Sequence, residues 1–261
     1  VLPAYLQLRK KSMKARYPYL LATLAAVGCI TIAHAEEASM PAPDLQVTYN
    51  VGAQSDYIFR GISQTDRGSS GFAGVDATYL NQLYVGAWTS NVDFSPSGDP
   101  STRQEVDLYG GWRPVLAGFT FDIGYIYYGY SHQPHDLRES YAEGYLKVSR
   151  TFGPVTLGVA TYRSPDFPGV TRRAHYEEAN IAIALDSSWS VSAAGGRQAE
   201  SKALVDENGA RRDFNYRTWN AGVTYAINDH VSLDLRYWNT NAHDAGDIYH
   251  AHTVASIKAT F

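Results

Sequence analysis

Charged residues two or four apart recur inside otherwise hydrophobic stretches: Glu105 with Asp107, Glu143 with Lys147, Asp234 with Arg236. Asp56 stands four before Arg60, and Asp122 and Lys258 stand singly in similar surroundings. In an extended strand, positions of equal parity share one face, so each pair would project together from one side of a sheet. Such a set has two chemical uses. Lining a wet, confined space, it makes a field that attracts ions of one sign and repels the other. Facing itself across a narrow space, it forms ion pairs that plug the interior. The acids Asp56, Glu105, Asp107, Asp122, Glu143 and Asp234 outnumber the bases Arg60, Lys147, Arg236 and Lys258. The field reading therefore predicts a modest preference for cations.

Histidines form two looser groups, His132-Gln-Pro-His135-Asp136 and His243-Asp244 with His250 and His252. Imidazole and carboxylate suit a transition metal. Neither group has four-ligand spacing, so no metal site and no cofactor are expected. Ser256 and His252 share parity, but four residues along a strand is about 13 Å, too far for a nucleophile and its base. Ser63 or Ser131 would have to meet a histidine across strands for a lipid-modifying hydrolase. No catalytic residue is assigned. Gly195-Gly196 follows no phosphate-loop pattern and reads as a strand bend.

The elements that must hold these residues are strands. Phe119, Phe121, Ile123, Tyr125 and Tyr127 alternate with Thr120, Asp122, Gly124, Ile126 and Tyr128. Val155, Leu157, Val159 and Thr161 alternate with Thr156, Gly158, Ala160 and Tyr162, and Val231, Leu233, Leu235 and Tyr237 with Ser232, Asp234, Arg236 and Trp238. One apolar face and one mixed face is the dyad pattern of a membrane barrel. About twelve strands follow, over 45–60, 70–80, 82–94, 104–113, 118–130, 140–151, 154–164, 175–185, 189–199, 212–226, 230–241 and 249–261. Roughly eleven residues tilted near 40° span about 28 Å, enough for the apolar band of such a barrel. Connections alternate between short turns and long polar loops (61–69, 95–103, 131–139, 165–174, 200–211, 242–248), which puts both termini on the short-turn side. The expected class is all-β, a transmembrane antiparallel up-and-down barrel. In 212–226, Phe214 and Tyr216 suggest one face and Val223 and Tyr225 the other, so a bulge or parity change is expected between them. On the first strand Tyr57 and Phe59 are assigned to lipid, and Asp56 and Arg60 to the lumen. Arg or Lys on the lipid face near the midplane would cost about 2–4 kcal/mol, which favours turning the charged positions inward.

Residues 13–35 carry Lys14 and Arg16, an apolar run from Leu20 to Ile32, and Ala33-His34-Ala35. This is the pattern of a secretory signal cleaved before Glu36, with 1–12 an upstream extension and 36–261 the barrel. A lipoprotein reading of Cys29 is weaker, because the apolar run continues beyond it. Cleavage removes this only cysteine, and no disulfide is expected. Five of the 22 basic residues and none of the 26 acidic ones fall in 1–35, which leaves a net charge of −9. That excludes nucleic acid as a partner. The 20 tyrosines suit aromatic girdles at two membrane interfaces. The expected location is the bacterial outer membrane.

Ser55-Asp-Tyr-Ile-Phe-Arg-Gly-Ile-Ser-Gln-Thr65, Tyr84-Val-Gly-Ala-Trp-Thr-Ser-Asn-Val-Asp-Phe94, Glu105-Val-Asp-Leu-Tyr-Gly-Gly111, Tyr125-Ile-Tyr-Tyr-Gly-Tyr130 and Glu143 follow one another with distinctive spacing. Over about residues 45–150 the chain resembles the TorF family of proteobacterial outer-membrane porins. The second half is similar only in strand rhythm and aromatic end. The resemblance implies location and fold, and brings no catalytic residues. Phe261, with alternation back through Ala259, Ile257 and Ala255, resembles the signal read by the barrel assembly machinery. The expected partners are that machinery, outer-membrane lipid, and small solutes or ions. The function expected is passive diffusion of small polar solutes or ions. The alternatives are a non-conducting surface barrel that binds a partner through its loops, and the hydrolase.

Overall fold

The structure is a computed structural model that describes residues 44–134, 139–168, 173–205 and 210–261. The export segment expected at 1–35 lies outside these residues. Twelve long strands form the wall: β1 (Leu45–Gln54), β2 (Ser70–Tyr79), β3 (Leu83–Asn91), β4 (Gln104–Trp112), β5 (Phe119–Ser131), β6 (Tyr141–Phe152), β7 (Val155–Ser164), β8 (Arg173–Ala184), β9 (Trp189–Val205), β10 (Arg211–Ala226), β11 (Val231–Thr240) and β12 (His252–Thr260). Each pairs antiparallel with the next, and β1 closes on β12 through Val51 opposite Ala259 and Gln54 opposite Ser256. The chain is an all-β, closed, twelve-stranded antiparallel barrel. Closure leaves no open edge, the condition for strands to span a bilayer.

The faces follow sequence parity. On β5, Ile123, Tyr125 and Tyr127 point outward, while Asp122, Ile126 and Tyr128 are buried inside. Leu83, Val85, Leu108, Leu157, Val159, Leu233 and Leu235 extend the outer apolar band around the wall. Tyr79, Trp112, Phe152, Trp189 and Phe261 rim its short-turn end. Inside, the wall admits large rings by placing glycine opposite them: Tyr109 lies over Gly86, Tyr145 over Gly124 and Tyr176 over Gly196, where any Cβ would collide with the ring.

Two expectations fail in register. β1 ends at Gln54 rather than near residue 60. Residues 55–66 leave the wall and fold back into the lumen as a two-rung hairpin, with Ile58 opposite Ser63 and Phe59 opposite Ile62. Tyr57 and Phe59 are 3% and 1% exposed and touch the interior, not lipid. The bulge or parity change expected within 212–226 is absent. β10 pairs with β9 without a break from Phe214 opposite Glu200 to Tyr225 opposite Trp189. Phe214 and Tyr216 keep inward parity because the upper inner wall is apolar there: Tyr216 packs with Phe59, Ile62 and Tyr249. The register shift lies in β9 instead, between Glu200 and Leu204, where Lys202 has φ 58°.

Candidate functional site

The hairpin 55–66 enters from the loop end and occupies the upper lumen. Its turn, Arg60-Gly61, has φ 46° and 86°, both left-handed, as a two-residue type I′ turn requires. Glycine is required at 61 for a second reason: a Cβ there would collide with the Thr218 hydroxyl on β10. Aromatic and aliphatic contacts seat the hairpin. Tyr57 joins Val92, Phe94, Ile126, Tyr128, Tyr141 and Phe167 in one buried cluster, while Ile58 packs with Trp238 and Val254. Residues from loop 92–103 and from 165–168 therefore close over the same space.

Polar contacts fix its position. Arg60 is 4% exposed and forms a bidentate pair with Glu143 on β6, Nη2 to Oε2 at 2.6 Å and Nη1 to Oε1 at 3.1 Å. Nη1 also donates to Gln198 Oε1 at 3.1 Å. Its guanidinium lies 4.4 Å from the Phe59 and Tyr176 ring centres and 4.9 Å from that of Tyr162. The Tyr128 hydroxyl donates to Glu143 Oε2 at 3.2 Å. At the hairpin base, Ser63 Oγ and Thr65 Oγ1 donate to Asp56 Oδ1, and His252 Nδ1 lies 2.9 Å from Asp56 Oδ2. Here the carboxylate sits between serine and histidine. The imidazole cannot take the Ser63 proton, so this trio is not a nucleophile–base pair.

The remaining expected residues all carry inward parity, at two levels. In the upper lumen, Glu105 accepts from the Tyr57 hydroxyl at 3.1 Å, and neither oxygen of Asp107 has a hydrogen-bond partner among the described residues. Both are fully buried. Lower down, Asp122 lies 3.4 Å from Arg113 and 3.9 Å from Lys147, whose ammonium is 4.6 Å from the Tyr145 ring centre. Asp234 pairs with Arg236 at 3.0 Å, and Arg236 also reaches Asn220 and Ser192. Lys258 faces the lumen opposite Gly52, half-buried. The structure adds Gln198 and Glu200, whose i, i+2 spacing on β9 matches that of Glu105 and Asp107. The expected strand ended at 199, so Glu200 fell into a loop. It adds Asp76, bonded to Tyr109, and Glu178, bonded to Tyr176.

At the mouth, Thr102 donates to Glu139 at 2.7 Å beside Asp99. Burial, with Asp99 adjacent, pushes the Glu139 carboxyl up to about 8. Burial acts on Asp99 too, but hydrogen bonds from Thr102 and the Ser101 backbone outweigh it and hold that carboxyl below its usual range. His243 and His250 rings lie 5.0 Å apart, yet no group of three metal-ligating side chains occurs among the described residues. His135 and Asp136 lie outside them.

A family model described as "Bacterial protein of unknown function (Gcw_chp)" matches residues 37–261. No curated protein matches the sequence significantly. Among solved structures, the KdgM porin superimposes with TM-score 0.55 at 8% identity, over 82% of this chain and 98% of that one. The NanC porin gives 0.55 at 9% identity, over 83% and 99%. KdgM in complex with disordered oligogalacturonate gives 0.54 at 8%, over 82% and 98%. At these identities the likeness is one of fold: this barrel has the architecture of those porins.

Proposed function

We propose that this chain, which belongs to the Gcw_chp family of bacterial proteins of unknown function, is an outer-membrane porin-like channel for small polar solutes or ions, held closed by the hairpin 55–66. The observation that carries this reading is the contrast between the two halves of the lumen. Above, the hairpin fills the space and side chains are buried. Below, Asn50, Asp76, Lys147, Glu178 and Asn180 face inward yet stay partly exposed, as a wet vestibule requires and a packed core does not. The resemblance to the TorF porins and the export pattern of 13–35 support an outer-membrane location. The inward charge favours cations or neutral polar solutes: Glu105, Asp107, Glu178 and Asp76 have no basic partner among the described residues. An anionic oligosaccharide such as that in the KdgM complex would meet repulsion here.

The test is conductance in planar bilayers under a salt gradient, with the wild type beside a variant in which a two-residue turn replaces 55–69. Gln54 and Ser70 are directly opposed, so the replacement keeps the wall in register. The wild type should show rare, small openings, and the variant a steady current with cation-positive selectivity. A folded variant that carries no current would overturn the channel reading, and anion preference would overturn the charge argument.

A further inference from the structure

The outer face of β7–β10 departs from the rest of the wall. Along β8, β9 and β10 the outward residues run apolar from the short-turn end, and then a charged residue follows; on β7 Leu157 and Val159 lead through Thr161, opposite Glu177, to Arg163. On β8 the order is Ile183, Ile181, Ala179, Glu177; on β9 Val191, Ala193, Gly195, Arg197; on β10 Val223, Ala221, Trp219, Arg217. Arg163 stands one outward position further toward the loop end of β7, opposite His175. Elsewhere the outward residues at this level are neutral, as with Thr89, Gln104, Asn239 and Thr253.

Register places these charges together. Glu177 is opposite Arg197, and Arg197 is opposite Arg217. Glu177 gives its carboxylate to Arg163, Nη2 to Oε1 at 3.0 Å. Arg197 and Arg217 are left exposed and directly opposed, with no side-chain partner among the described residues. Like charges directly across a strand pair repel. On a face turned to lipid, an anion bound between the two forks would offset that repulsion.

One rung toward the short-turn end lies an apolar trough. Val159, Ala179, Gly195 and Trp219 are consecutive cross-strand partners. The small pair Ala179–Gly195 forms the floor, and Val159 and Trp219 form the sides. An open surface depression lined by Val159, Ala179, Gly195, Trp219, Arg197 and Arg217 joins this trough to the arginines.

The geometry points to a binding site for a phosphorylated, acylated glycolipid of the outer leaflet: phosphate between Arg197 and Arg217, one acyl chain in the trough over Ala179 and Gly195. Charge complementarity and depth select this occupant. The basic groups stand at the loop end of the apolar band, where headgroups lie, and the trough runs from them into the hydrocarbon layer. A second copy of this chain would bring the same unpaired arginines against these, and so is disfavoured. The site is separate from the lumen and does not depend on conduction.

The test uses full-length protein purified in micelles, titrated with bis-phosphorylated, hexa-acylated lipid A and, in parallel, the same lipid dephosphorylated. Retained adducts are counted by native mass spectrometry, which reads no current. The wild type should keep the phosphorylated lipid at least tenfold better. Arg197→Gln with Arg217→Gln should erase that preference. Gly195→Leu should weaken both lipids and leave the preference intact. An added Cβ at 195 meets only the Thr218 carbonyl oxygen, at 4.0 Å, so this change is not expected to disturb folding. Equal retention of the two lipids by the wild type overturns the proposal without recourse to any variant. So does an unaltered preference in the glutamine pair, or a dimer that buries this face in place of lipid.

Discussion

Glu143→Ala should release the hairpin. Arg60 and Glu143 are 4% and 0% exposed, and removal of one partner of such a pair typically costs about 3–5 kcal/mol, because the other charge remains buried. Arg60 would keep Gln198 and the faces of Phe59, Tyr162 and Tyr176. These contacts place the cost at the lower end, about 3 kcal/mol, or roughly a hundredfold in the ratio of seated to released hairpin. Ile62→Cys, in a background with Cys29→Ser, reports that ratio directly. Ile62 is 0% exposed, so a water-soluble thiol reagent reacts only with the released state. Glu143→Ala should speed labelling about a hundredfold, with heat-resistant gel mobility showing the barrel intact. Replacing both partners with apolar residues, Arg60→Met with Glu143→Leu, should bring labelling back toward the parent. A rate for Glu143→Ala within threefold of the parent would refute the view that this pair seats the hairpin.

Gly61→Ala should also release it, since the new methyl meets Thr218 in a backbone with φ 86°; labelling of the Ile62→Cys reporter that does not change would reject the seating of the turn. Glu105→Gln with Asp107→Asn should lower the cation preference of the hairpin-free channel without lowering its melting temperature, because no basic group among the described residues pairs with these carboxylates; a clear loss of stability would point to a hidden cationic partner. Glu139, raised to about 8, stabilises its loop contact fully below its unfolded value near 4.5, and that contribution is lost as pH rises through 8. Exchange protection in 92–103 and 139–140, corrected for the intrinsic base-catalysed rise with pH, should therefore fall between about pH 4.5 and about 8, and Glu139→Gln should flatten the profile. A profile equally steep in the variant would assign the effect elsewhere.

The wall was legible because a closed barrel with an apolar outer face and a mixed inner face has a strict period. The two faces force parity on every strand. Parity alone turned Asp122, Glu143, Lys147, Asp234 and Arg236 inward. Short turns such as Asn81 and Gly153 cut the strands cleanly. The hairpin was not legible on the same rule. Tyr57 and Phe59 alternate with Asp56, Ile58 and Arg60 well enough to pass as a continuing strand. The signal that separates the two readings is Arg60-Gly61, a two-residue turn between Ile58-Phe59 and Ile62, with apolar residues on both arms. Apolar residues on the inner side of β10 misled for a related reason. Parity assumes a polar lumen, and Tyr216 instead packs against the hairpin. The partners could not be read at all: Arg60 meets a carboxylate 83 residues away and an amide 138 residues away, and no local pattern encodes those meetings.

On the proposed reading, gate and selectivity share one residue. Arg60 is the cation that faces Glu143 in the upper lumen, with Glu200, Glu105 and Asp107 on the wall around the hairpin. While the hairpin is seated, its guanidinium offsets part of that negative charge, and the path is blocked. When the hairpin leaves, Arg60 leaves with it, and the wall that remains is more acidic than the closed lumen was. The open path should thus prefer cations more strongly than any leak past a seated hairpin. The same charge excess limits how far the gate opens unaided, because Glu143 and Glu200 draw the arginine back. Cations that enter the opened lumen screen those carboxylates and weaken that pull. Open time should therefore lengthen as salt rises, although surface steering of solutes weakens in the same range. Open times that shorten with salt would place the restoring force in the apolar contacts of Tyr57, Ile58 and Phe59 instead, since exclusion of salt from apolar surface strengthens burial.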